Sequence, residues 1–215
     1  MIAPKDRALA EDQGANVAGA GGTASTTVIS LFDDDPPDNA ANLENIPRRM
    51  REQDCWVVYR REPKGNELTP FGQPKTKKIP YHPREPFHAF STREDTPGSF
   101  EEALTALEAA KQSGRPFDGL GFVISCARNL VALDLDNVRD PGTGTLTETG
   151  QELWDDLVVP LGSYTEVSPS GEGFHVFVET DRPKAVRSST GEHLEVYPAG
   201  GAPRFITVTG EVCAL

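Results

Sequence analysis

The sequence predicts an α+β domain: a mostly antiparallel or mixed sheet with a few covering helices. Strand-like runs of alternating apolar residues dominate the C-terminal half, as SYTEVS, FHVFVE, HLEVY and RFITVT. CWVVYRR, GLGFVIS and LVALDLD add further strands upstream, and only two stretches carry helical spacing. Many strands with two helices bury their apolar faces best by laying the helices on a sheet.

Along the chain, residues 1–45 are rich in Ala, Gly, Thr, Asn and Asp and hold two basic against eight acidic side chains. Such a segment buries too little apolar surface to offset its ordering entropy, so a disordered acidic tail is expected, with the folded domain spanning 46–215. CWVVYRR reads as a strand, PKGNELTPFGQPK as a turn-rich loop, and TKKIPY as a short extended piece reaching Pro80. Ser99 and Glu102 form the capping-box pattern. Phe100, Ala103, Leu104, Leu107 and Ala110 follow at helical spacing, and Gly114 closes the helix. GLGFVIS and LVALDLD are two strands joined by CARN. A second helix is expected over 148–157, with Leu153, Trp154 and Leu157 turned inward.

Composition excludes several classes. No apolar run is long enough to span a bilayer, and no basic segment followed by an apolar one marks a secretory signal, so a cytoplasmic protein without a membrane partner is expected. Cys55, Cys126 and Cys213 lie far apart with no C-x-x-C pair, which argues against a zinc ribbon or a disulfide framework. The net charge of −12 weakens a nucleic-acid reading. It does not exclude one, because a metal site built for phosphoryl transfer itself concentrates carboxylates.

Within LVALDLDNV, alternation sends Val131, Leu133 and Leu135 to one face and Ala132, Asp134 and Asp136 to the other. The two carboxylates then lie about 7 Å apart and repel each other, a conflict that a divalent cation resolves. The alternative is that Asp136-Asn137 starts a turn and Asp134 pairs with an arginine. After the turn SPSGEG, His175 shares a face with Phe177 and Glu179. Ser170, the backbone N–H groups of the turn and His175 have the chemistry to grip a phosphate; a core histidine bonded to a carbonyl is the competing reading. Glu195 lies mid-strand on one face with His193 and Tyr197, either as a third carboxylate of a two-metal site or as a solvent-facing position. Lys75, Lys77, Lys78 and Arg204 are either solvated surface or phosphate contacts, and His82 and His88 read as loop residues without metal-ligand spacing.

The order of these elements is more specific than any of them alone. D-L-D on a strand, then Y-T-E-V-S-P-S-G-E-G-F-H, then E-V-Y followed by R-F-I-T-V-T-G resembles the archaeo-eukaryotic primase superfamily, and most nearly the prim-pol domains of phage and plasmid replication proteins. KKIPYHP, AFSTREDTPGSFEEAL and GLGFVIS resemble their N-terminal half. The resemblance implies an RRM-like catalytic core and a template-dependent nucleotidyltransferase, a DNA primase or polymerase using two-metal-ion phosphoryl transfer. It implies Asp134, Asp136 and Glu195 as ligands of Mg²⁺ or Mn²⁺, His175 as a contact to the incoming nucleotide's phosphates, and Ser170, Lys78 and Arg204 as further nucleotide contacts. Its partners would be a dNTP or NTP, a single-stranded or primed DNA template, and a helicase supplied by another chain or a further C-terminal region. Two other functions fit the same residues: a non-catalytic module that binds nucleotide or single-stranded DNA, and a metal-dependent nuclease.

Overall fold

The computed structural model describes residues 28–29, 42–85, 90, 95, 97–213. Most of the expected N-terminal tail lies outside them, as do His88 and part of AFSTREDTPG. Two pieces of the tail are placed: a short strand, β1 (Val28–Ile29), and a 3-10 turn at Asn42–Asn45, so ordered backbone begins upstream of Ile46. A one-turn helix, α1 (Arg48–Arg51), follows.

The architecture is α+β, with two sheets rather than one and every strand pair antiparallel. One sheet joins β2 (Trp56–Leu68), β3 (Pro74–Tyr81), β4 (Gly119–Val123) and β10 (Phe205–Val208) in the order β10-β4-β2-β3. The other runs β1-β7-β5-β9-β8, from β5 (Leu130–Leu135), β7 (Phe174–Thr180), β8 (Ser189–Thr190) and β9 (Leu194–Pro198); β6 (Tyr164–Val167) also pairs with β7.

PKGNEL, expected in a loop, instead continues β2 as an exposed two-stranded ribbon with β3, closed by a turn around Gly72. A solvated ribbon needs no apolar alternation, so Pro63, Gly65 and Asn66 hid it.

Between the sheets lies the main core. Trp56 meets Phe100 and Phe122 edge-on at 4.8 and 5.0 Å, and Phe122 meets Phe177 of the opposite sheet at 6.5 Å. Helix α2 (Phe100–Gln112) adds Ala103, Ala106 and Ala110, small residues that let it approach closely. Its capping box is formed: Ser99 Oγ accepts from Glu102 N at 3.2 Å, and the Glu102 carboxylate accepts from Ser99 N at 2.8 Å. Ser99→Ala therefore costs about 1 kcal/mol, read as a lower urea midpoint at unchanged slope.

A second core covers the other face of the β5–β7–β9 sheet. Val131, Leu133, Leu135, Phe174 and Val176 pack there against one bent helical run: α3 (Glu148–Leu153), a π turn at Trp154–Val158 and α4 (Val159–Leu161). The sheet is thus dry on both faces, and the polar side chains on it stand out. Among the described residues no helix is long and apolar enough to cross a membrane.

Candidate functional site

The strand registers build the site. Asp134 lies opposite His175 on β7 and opposite Glu195 on β9, while His175 lies opposite Glu166 on β6. Directly paired residues share a face, so Glu166, His175, Asp134 and Glu195 form one row across four strands. Ala132, Phe177 and Tyr197 on that same face belong to the core between the sheets. The row sits where that apolar surface gives way to a cleft of about 250 Å³.

Asp134, His175 and Glu195 line the cleft on one side, with Tyr197. Arg204, Phe205, Ile206 and Thr207 border it along β10, and Thr76 and Lys78 of β3 complete it. Lys78 Nζ donates to Thr207 Oγ1 at 3.3 Å, and the Arg204 guanidinium lies 4.8 Å from the centre of the Tyr197 ring. Two cations therefore face two carboxylates across one opening.

His175 is 1% exposed, and its two nitrogens meet different groups. Nδ1 lies 3.2 Å from Glu166 Oε1; Nε2 lies 3.5 Å from Asp134 Oδ1, too long for a good hydrogen bond. Asp134 Oδ1 is buried without any hydrogen-bond donor. A buried carboxylate oxygen left so is costly, and a cation is the natural group to satisfy it. The Glu195 carboxylate accepts from the Tyr197 hydroxyl. Burial first, and then that bond, push the Tyr197 phenol above its ordinary value, so it stays a donor.

Asp136 falls one residue beyond β5. Asn137 turns the chain there with φ 58°, a left-handed conformation that asparagine tolerates. Asp136 N donates to His193 O at 3.1 Å, continuing the β5–β9 ladder by one bond. The residue is exposed overall, and it is absent from the cleft lining. Desolvation and then the Asp134 charge raise its pKa, while Lys78 and His175 pull it down. A carboxyl raised on folding favours the folded state below the ordinary Asp value and loses that contribution as pH climbs through the folded value. Metal-free Asp136→Asn should therefore melt above wild type at neutral pH, with the gap closing below about pH 4; thermal scans across that range check it.

The structure thus brings Asp134, His175, Glu195, Lys78 and Arg204 to one cleft and leaves Asp136 beside it. It does not bring Ser170. That side chain is exposed and spent within its own turn, 3.0 Å from Ser168 Oγ and accepting from Glu172 N at 3.3 Å. Among the described residues, no three acidic, histidine or cysteine side chains stand close enough together to hold a metal ion as placed. The oxygen-only donors and the orphaned Asp134 Oδ1 nevertheless suit a hard divalent cation.

The sequence reading passed over Glu166, Tyr197, Thr207 and Thr76. Glu166 was within reach of simple arithmetic: a direct hairpin across the turn 168–173 pairs Val167 with Phe174, and hence Glu166 with His175. Gly173 fixes that turn against β5. A Cβ on it would fall 1.8 Å from the Leu135 carbonyl oxygen, so only glycine allows the two chains to meet there.

No family model matches the chain. A protein described as DNA Primase-polymerase, from Nitratiruptor phage NrS-1, is 34% identical over 161 residues. The match takes in 73% of this chain but only 19% of that protein's length. With this similarity, the α+β two-sheet fold and the ordered D-L-D, glycine-turn-histidine and strand-glutamate motifs, the chain belongs to the primase-polymerase (prim-pol) family.

Proposed function

We propose that the cleft is the active site of a template-dependent nucleotidyltransferase that extends or primes DNA. The carrying observation is the in-register Glu195–Asp134–His175 row facing Lys78 and Arg204, with Asp134 Oδ1 buried and without a hydrogen-bond donor. Asp134, Asp136 and Glu195 would hold Mg²⁺ or Mn²⁺. Such a cation, once bound, supplies charge neutralisation at the attacking 3′-hydroxyl and at the leaving pyrophosphate.

The remaining work belongs to the side chains. His175 turns Nε2 toward the triphosphate as a binding group and not as a nucleophile. Lys78 on β3 and Arg204, just ahead of β10, balance its negative charge. Positioning and charge stabilisation carry phosphoryl transfer of this kind, with little covalent chemistry asked of the protein.

The test is incorporation of labelled dNTPs on a primed single-stranded template with Mg²⁺ or Mn²⁺. Extension that follows the template supports the proposal. Degradation of labelled DNA without added dNTPs would point to a nuclease. A second reading has its own observation: Glu195 is engaged by Tyr197, and no three ligands converge as placed. A module that only binds nucleotide or single-stranded DNA would retain dNTP affinity and give no product.

A further inference from the structure

We propose that Glu166 is a positioning residue: it fixes which ring nitrogen of His175 faces the cleft. The inference rests on the nucleotide-binding role given above to His175. Glu166 is fully buried on β6, and its carboxylate is the meeting point of three donors and one histidine ring nitrogen. Oε1 lies 3.2 Å from His175 Nδ1 and accepts from Thr209 N at 3.0 Å. Oε2 accepts from the Tyr164 hydroxyl at 2.7 Å and from Gly210 N at 2.9 Å.

The identity of the donors settles the direction of the histidine bond. Backbone N–H groups only donate. The Tyr164 phenol, raised well above its ordinary value by burial and by Glu166 itself, keeps its proton and donates too. A group ringed by donors is an acceptor, so Nδ1 must bring the proton to it. The hydrogen bond at one ring nitrogen decides what the other presents. With Nδ1 committed to Glu166, Nε2 is the ring atom left for a ligand, and it is the one turned toward Asp134.

The same carboxylate ties this ring to a distant part of the chain. Thr209 and Gly210 follow β10, whose residues border the cleft opposite His175. Gly210, at φ 70°, packs so tightly on Asn42 that a Cβ would lie 1.7 Å from its carbonyl oxygen. Asn45 Nδ2 donates to Gly210 O at 3.0 Å. Glu166 therefore holds the histidine ring and the end of β10 at a fixed separation, which sets the distance between two walls of the nucleotide cleft.

Nitrogen-15 NMR of the full chain, with labelled histidine, reads the ring directly. The expected wild-type result is a His175 whose Nδ1 carries a proton; a bare Nδ1 with the proton on Nε2 overturns the proposal, whether or not any variant folds. In Glu166→Gln the charged acceptor at Nδ1 is lost and the ring is no longer held with Nε2 toward the cleft, so the His175 nitrogen signals should shift and the Kd for dNTP should rise about tenfold. Tyr164→Phe removes a comparable buried hydrogen bond without touching His175 and should keep the wild-type tautomer and dNTP affinity. If a folded Glu166→Gln protein matched wild type in both readings, Glu166 would be structural only and the proposal would fall. The ring spectrum is independent of nucleotide, so a wild-type protein that binds no dNTP would sink the functional reading and leave the tautomer assignment standing.

Discussion

Asp134→Asn is expected to lower nucleotide incorporation about a thousandfold, roughly 4 kcal/mol of transition-state stabilisation, in a protein that still folds. Asparagine has the shape of aspartate, so the backbone pairing of β5 with β7 and β9 is undisturbed. What disappears is a negative charge on the row, carried by a buried oxygen that no hydrogen-bond donor reaches. Removing that charge also relieves repulsion with Asp136, so the melting temperature should hold or rise. The measurement is single-turnover extension of a labelled primer beside a thermal scan. A folded variant with wild-type rates would show that the chemistry lies elsewhere.

Gly173→Ala should be among the most damaging single methyls in the described residues, costing more than ~3 kcal/mol. The added Cβ meets a backbone carbonyl oxygen at 1.8 Å, with the Asp136 Cα only 3.3 Å away. Backbone cannot rotate aside as a side chain does. Either β7 must part from β5 at the row that carries His175 and Asp134, or the turn must refold. Incorporation should therefore fall along with stability, and the loss of rate should persist at temperatures where the variant remains folded. Urea denaturation decides the first half: a variant within about 1 kcal/mol of wild type would mean that the chains do not approach so closely.

Much of this was legible before any coordinates. Strict alternation in LVALDLD placed Asp134 opposite the Val131–Leu133–Leu135 face, and the helices pack on that face. Ser99 and Glu102 announced a helix start that the hydrogen bonds bear out. These signals are local, with period and cap contained in a few residues. Features that depend on which strands pair were harder to read. The second sheet follows from pairing between segments far apart in sequence, while the β2–β3 ribbon and the Glu166–His175 pair are local hairpins that apolar alternation does not announce. Ser170 shows how local chemistry can be spent locally. A hydroxyl beside glycines suggested a phosphate contact, and as placed the turn uses it for its own closure. Asp136 lies between these cases: the chain leaves the strand just before it, and it stands beside the cleft.

The cross-strand row has a consequence for how such a site tolerates change. Its four members are aligned by ladder register, with no loop between neighbours. Outside the tight turn at 168–173, which sets the β6–β7 register, an insertion in a connection leaves their alignment alone. A single residue added inside β5 ahead of Asp134 would swing its carboxylate into the helix-covered layer and offer Leu133 to the nucleotide. Two added residues would restore the facing and move the charge one step along the ladder. Length variation within these strands is thus filtered by parity, odd changes erasing the chemistry and even ones relocating it.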